Sequence, residues 1–179
     1  LCAGPSRPAE VPSSRYLLVF TAEGHPQDVA AELGAARATL EGSGLGDIHE
    51  TEVLAGVDLW AELLRGGDFY ARIGLPPKEL MGYVEANGSA LNGDGVSHVI
   101  DFASGLIYVH PLEMEQVGML RQAALGLGGY AVVTLPNGAE DGGGNIDPWG
   151  YAPDSLTLMR GLKECWDPGN CLNPGLFMV

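Results

Sequence analysis

The sequence predicts an α+β fold in which split β-α-β units share one mainly antiparallel sheet, with helices chiefly on one face. Two observations support this prediction. Segments with strand and helix patterns alternate along the chain, and the strand segments are few and short. Residues 97–110, SHVIDFASGLIYVH, predict a hairpin of two strands joined near Ser104 and Gly105. Because a hairpin pairs its strands antiparallel, a purely parallel sheet is excluded, and a ferredoxin-like arrangement fits best.

The predicted strands are short apolar or alternating runs. Residues 15–22, RYLLVFTA, form a continuous apolar run that is typical of a buried strand. In residues 69–75, FYARIGL, the apolar Ala71 and Ile73 alternate with Arg72, as expected for a strand with two different faces. Further strands are predicted at 47–56 and 130–135.

The predicted helices show apolar residues at helical spacing and characteristic ends. In the first helix, Pro26 and Asp28 suit the opening turn. Its apolar stripe consists of Val29, Leu33, Ala36 and Leu40. Helices are predicted at 25–44, 57–67, 76–88, 111–129 and 153–166.

Composition limits the classes of function. The chain of 179 residues has 9 basic and 23 acidic residues, a formal net charge of −14. Such a surface repels phosphate backbones and anionic lipids, so we expect no nucleic-acid partner. The absence of a long apolar run predicts no direct membrane insertion. Three cysteines without a metal or disulfide spacing predict a reduced, cytoplasmic protein.

The chain is expected to be one domain cut from a longer protein. Residues 1–14 are rich in Pro and Ser and predict a linker, and residues 15–179 predict the domain. The chain begins with Leu1 rather than Met, which fits the same expectation.

Two side chains are candidates for substrate binding, and no metal site is expected. Arg72 lies in the middle of a strand in a chain with few basic residues, so it either pairs with a carboxylate or binds an anionic substrate. His110 follows an apolar strand and either faces a pocket or lies in solvent. The four histidines show no metal-ligand spacing. Acidic residues in the glycine-rich stretch 138–150 disfavour phosphate binding there.

The C-terminal segment predicts a rigid path rather than a loose tail. Pro168 ends the last helix, and Pro174 with Gly175 fixes a second turn. Asn173, between them, has an amide that both donates and accepts hydrogen bonds. We expect residues 167–176 to pack on the domain, with two or three of the flanking apolar side chains buried. These side chains are Trp166, Leu172, Leu176 and Phe177.

Residues 158–177, LMRGLKECWDPGNCLNPGLF, resemble the closing segment of FAD-linked oxidases of the vanillyl-alcohol oxidase type. In those proteins a helix leads into L-K-x-x-[FW]-D-P and then L-N-P-G. The matching residues here are Leu162, Lys163, Trp166, Asp167, Pro168, Leu172, Asn173, Pro174 and Gly175. The chain is most similar to glycolate oxidase FAD-binding subunits, and the histidine-rich metal motif of the longer subunits is absent.

The resemblance implies that this chain is the C-terminal cap domain of a flavin-dependent oxidoreductase acting on a small 2-hydroxy acid such as glycolate. FAD would be held mainly by an N-terminal domain of different fold, and Asn173 would lie nearest the cofactor. Other oxidase subunits, including an iron–sulfur subunit, are the implied partners. Alone, the chain is expected to be inactive and to bind no FAD tightly. The alternative is a non-catalytic ligand-sensing or subunit-interaction module.

Overall fold

A computed structural model describes residues 2–3, 17–44, 48, 50, 70–110, 114–134 and 147–173. The strands are β1 (Cys2–Ala3), β2 (Tyr70–Gly74), β3 (Ser97–Asp101), β4 (Leu106–His110) and β5 (Tyr130–Thr134). The helices are α1 (Pro26–Gly42), α2 (Leu80–Ala86), α3 (Gly88–Leu91), α4 (Met114–Gly126) and α5 (Leu156–Trp166), and a 3₁₀ turn (Pro77–Glu79) precedes α2. The predicted strand at 47–56 and helix at 57–67 lie outside the described residues, apart from residues 48 and 50.

The strands form one antiparallel sheet in the order β1-β3-β4-β2-β5. From β2 to β5 the order of elements along the chain is β-α-β-β-α-β. Strand β4, the second strand of the hairpin, lies between β2 and β3 in the sheet. This order confirms the predicted α+β fold with split β-α-β units. The short β1 lies within the segment predicted as a linker, and it pairs with β3 at Val99 and His98.

The hairpin between β3 and β4 is fixed by its turn residues. The Asp101 carboxylate accepts hydrogen bonds from the backbone N–H of Ala103 at 3.0 Å and of Ser104 at 3.3 Å. Gly105 has φ of 70°, which a residue without a side chain adopts most easily. Its carbonyl accepts a 2.9 Å hydrogen bond from the backbone N–H of Leu75, so the turn is tied to the end of β2.

The core lies between one face of the sheet and helices α2 to α4. Alternate residues of each strand point to this side because successive side chains of a strand face opposite ways. Tyr83 of α2 is buried here and its hydroxyl donates to the Leu120 carbonyl of α4 at 2.9 Å. The largest core side chains are Ile73, Leu80, Tyr83, Leu91, Ile107, Val109 and Leu120. Each aliphatic side chain in this list contributes roughly 1.5–3 kcal/mol when fully buried.

Helices α1 and α5 contain no buried residue. In α1 the predicted stripe is the less exposed side, since its members are half-buried and the rest of the helix is exposed. The helices that enclose the core are therefore the three between β2 and β5.

The predicted buried strand at 15–22 is reduced to a single β-bridge at Leu17 and is wrong for residues 18–22. Residues 18–22 have no regular secondary structure, and Leu18 and Phe20 are 46% and 52% exposed. An apolar run becomes a buried strand only when the surrounding fold packs against it, so strand propensity depends on context. Within the described residues, no helix combines the length and apolar character needed to cross a membrane.

Candidate functional site

The sheet face that points away from the core carries both predicted substrate-binding residues. We call it the outer face and define it by Arg72, Tyr108, His110 and Val132. Arg72 of β2 pairs directly with Tyr108 of β4 on one side and with Val132 of β5 on the other. His110 lies two residues beyond Tyr108 on the same strand, so its side chain projects to the same face.

Arg72 has a polar atom that finds no partner within the described residues. Its side chain is half-buried, and its Nε is buried without a hydrogen bond. Among the described residues no carboxylate forms an ion pair with Arg72, so the predicted alternative of an ion pair within the protein is not found there. A buried donor without an acceptor costs about 1–3 kcal/mol, and more when it is charged. A ligand carboxylate with two oxygens matches the geometry of a guanidinium group and removes this cost.

His110 is 2% exposed, so the interpretation of it as a strand-end histidine in solvent is wrong. It pairs across the hairpin with Ser97, which is 3% exposed. The cross-strand partner of Arg72 is Tyr108, and His110 lies two residues farther along β4. Arg72 and His110 are therefore diagonal neighbours, which in an antiparallel pair lie about 7–8 Å apart. The structure therefore brings the two predicted residues onto adjacent positions of one face.

Two tyrosines at the end of this face were missed by the sequence analysis. Gly74 and Tyr130 are cross-strand partners, and a Cβ added to Gly74 would lie 2.4 Å from the Tyr130 ring. The ring thus extends from β5 over β2. It also stacks on Tyr151, with ring centroids 5.7 Å apart and planes inclined by 21°. A glycine in a strand followed by a distant aromatic residue gives no signal of this contact in a single sequence.

Tyr151 belongs to a segment, residues 147–151, that runs along the outer edge of β5. The Pro148 carbonyl accepts a 2.7 Å hydrogen bond from the Val133 N–H. Arg121 of α4 donates to the Ala131 carbonyl at 3.0 Å and to the carbonyls of Asp147 at 2.9 Å and Pro148 at 3.3 Å. We call this segment the edge segment.

The described part of the C-terminal tail, residues 167–173, is folded back on the end of α5. The Asp167 carboxylate accepts from Lys163 Nζ, from the Cys171 N–H at 2.8 Å and from the Leu172 N–H at 2.9 Å. Lys163 also donates to the Leu172 carbonyl at 2.7 Å. Asn173 at the end of this loop is exposed and has φ of 49°, a left-handed conformation that asparagine tolerates.

The prediction that this tail buries its apolar side chains is wrong for the described ones. Trp166 is 77% exposed and Leu172 is 63% exposed. Leu176 and Phe177 lie outside the described residues. The order of this loop comes instead from the hydrogen bonds of Asp167. Counting the apolar residues of the sequence does not reveal this polar interaction.

The Lys163 side chain and the two backbone N–H groups lower the pKa of Asp167 to about 2. The carboxyl of an unfolded chain has a higher pKa, near 3.8. The carboxylate therefore stabilises the loop fully above the unfolded pKa, and this stabilisation is lost as the pH falls toward 2. We expect the Leu172 amide proton, followed by NMR, to shift with a midpoint near 2. Asp167→Asn is the control that should abolish this shift, and a midpoint near 4 would contradict the assignment.

Within the described residues, no three His, Cys, Asp or Glu side chains are arranged to hold a metal ion. The glycine-rich stretch lies outside these residues except for 147–150. Comparison of the chain with protein-family models, curated proteins and solved structures finds no match.

Proposed function

We propose that this chain is the C-terminal cap domain of an FAD-linked oxidoreductase of the vanillyl-alcohol oxidase type that oxidises a small 2-hydroxy acid such as glycolate. The observation that carries the proposal is Arg72, with a buried Nε that has no acceptor among the described residues, on a sheet face it shares with Tyr108 and His110. The closing motif from Leu162 to Gly175 supplies the link to flavin chemistry.

In this proposal the outer face binds and orients the acid. Arg72 donates two parallel hydrogen bonds to the carboxylate, which fixes both the position and the plane of that group. The carbon bearing the hydroxyl group is then held at a set distance from the sheet. Tyr108 and His110 supply hydrogen-bonding groups near the hydroxyl, and Val132, the cross-strand partner of Arg72, supplies an apolar neighbour that is 9% exposed. A partly dry site of this kind strengthens the charge pairing.

The described residues fit a contact with FAD rather than a complete binding site for it. Asn173 presents its amide on a loop that Asp167 holds, which suits a hydrogen bond to the edge of a heterocyclic ring. When bound to its own domain, FAD would accept the electrons released as the hydroxyl carbon becomes a carbonyl. The N-terminal FAD-binding domain is thus a required partner in the proposal, which also includes an iron–sulfur subunit and a cytoplasmic location.

The test is binding of the acid to this chain in the absence of flavin. We expect glycolate and its analogue oxalate to bind, measured by the shifts of the backbone amide signals of β2 and β5 in NMR titrations, which are present in every variant. Arg72→Gln should weaken binding at least about tenfold, because a charge-assisted hydrogen bond is worth roughly 1.5–3 kcal/mol. Arg160→Gln, which removes an exposed arginine of α5, is the matched control.

Equal binding by the Arg72→Gln and Arg160→Gln variants would overturn the assignment of the substrate to the outer face. Full-length protein then provides a second measurement. There, Arg72→Gln should raise KM for glycolate and leave the flavin content unchanged, since FAD is held elsewhere.

A subunit-interaction module is the second candidate function, and one observation favours it. Leu158, Leu162 and Trp166 recur every four residues along α5 and are 65%, 41% and 77% exposed. An apolar stripe of this kind is typical of a protein–protein contact. The two candidates differ in one result, because a purely interacting module has no reason to bind glycolate at Arg72.

A further inference from the structure

The Tyr130 ring lies over Gly74, two residues along β2 from Arg72. It fills the space that a side chain at position 74 would normally occupy. Arg72 and Gly74 project to the same face, about 7 Å apart along the strand. The space above Gly74 is filled by Tyr130, whose ring carbons Cε1 and Cζ both lie 2.4 Å from where a Gly74 Cβ would be. Arg72 is therefore bounded along its own strand by an aromatic ring, and across the strands by Tyr108 and Val132.

The position of this ring is held from outside the sheet. Tyr151 stacks on Tyr130 and comes from the edge segment. The edge segment is anchored to α4 and β5 through the hydrogen bonds of Arg121 and Pro148. Gly150 permits this anchorage, because a Cβ there would lie 2.0 Å from the Arg121 guanidinium carbon. These contacts hold the Tyr130 ring in one position, and we call this ring the Tyr130 wall.

Space continues on the far side of the wall. A shallow pocket at the end of the sheet is lined by Tyr130 together with Gly74, Leu106 and Gly129. Gly74, Gly128 and Gly129 contribute no side chains to this pocket, and the Tyr130 ring lies between it and the place where Arg72 would hold a carboxylate.

We infer that Tyr130 determines substrate length: it restricts the acid bound at Arg72 to short 2-hydroxy acids by closing the route over Gly74 toward the pocket. This inference rests on the proposed function, because it takes Arg72 as the carboxylate-binding residue. A short acid such as glycolate ends before the ring. A longer aliphatic chain directed along β2 collides with it and loses the carboxylate geometry at Arg72.

The experiment is a chain-length series on the whole chain, with glycolate, 2-hydroxybutanoate and 2-hydroxyoctanoate as ligands. Binding is followed by the backbone amide signals of β2 and β5, which are present in every variant. We expect 2-hydroxyoctanoate to bind at least about tenfold more weakly than glycolate, because a misfit of even one methylene costs about tenfold or more and this acid is longer by several. Tyr130→Ala should remove this difference. Tyr130→Phe, which keeps the ring, should preserve it.

Tyr130→Val is a second variant that opens the route while keeping a residue suited to a strand, in case the alanine variant does not fold. Equal affinity of the unaltered chain for glycolate and 2-hydroxyoctanoate would overturn the inference. So would discrimination that persists in folded Tyr130→Ala or Tyr130→Val. If glycolate binding is instead insensitive to Arg72→Gln, the proposed function fails first, and the two failures are told apart by that variant.

Discussion

Gly105→Ala is expected to destabilise the fold by roughly 2–5 kcal/mol, the sum of a left-handed conformation for a residue with a side chain and of overpacking. Gly105 has φ of 70°, and an added Cβ would lie 2.2 Å from the Leu75 carbonyl oxygen. That oxygen belongs to the backbone, so it cannot rotate away as a flexible side chain would. Relief of the clash requires the hairpin turn to move from the end of β2, which lengthens the hydrogen bond from Leu75 to Gly105.

Gly95→Ala is the matched control for this substitution. Gly95 has φ of 80°, and a Cβ added there would have no heavy atom within 4 Å. Only the conformational cost remains, about 1–2 kcal/mol. Urea unfolding of both variants measures the difference in the free energy of unfolding. If the two glycines prove equally tolerant of alanine, the close approach of the turn to Leu75 is refuted.

Leu120→Ala should lower the free energy of unfolding by about 2–5 kcal/mol, the range for truncation of a fully buried leucine. Leu120 is 1% exposed and lies in α4 against the sheet and α2. The loss combines the transfer of the removed atoms to water with the cavity left between these layers. Thermal or urea unfolding gives the measurement.

Leu158→Ala applies the same change to a leucine of α5 that is 65% exposed. Its effect on the free energy of unfolding should stay within about 0.5 kcal/mol. A large loss of stability at Leu158 would show that α5 belongs to the folding core. The pair therefore tests whether the unit from β2 to β5 carries the stability of the described structure.

The fold was predictable where the sequence contains local signals that agree with each other. Residues 97–110 combine two apolar runs with a glycine at the turn, and they form the β3–β4 hairpin. The alternation in β2 also predicted its two faces, which places Ile73 in the core and Arg72 outside it. Each of these features depends on residues within a few positions of one another.

The failures share a dependence on distant residues. The run at 15–22 is apolar enough for a strand, but only Leu17 forms a β-bridge, because strand formation depends on partners distant in the sequence. The Tyr130 wall requires Gly74, more than fifty positions earlier, to lack a side chain. For the tail, proline spacing predicted an ordered path, yet the ordering force is the carboxylate of Asp167 and not apolar burial.

The edge segment also has a consequence for self-association. The outermost strand of a sheet normally exposes unpaired backbone groups, which can template the strand of another molecule and start aggregation. On β5 the Ala131 carbonyl is occupied by Arg121 and the Val133 N–H by Pro148. A further strand could pair with β5 only after displacing the Arg121 guanidinium and the Pro148 carbonyl from these hydrogen bonds. Pro148 itself has no N–H that could donate to an added strand. We therefore expect this edge of the sheet to resist pairing with a strand of another molecule.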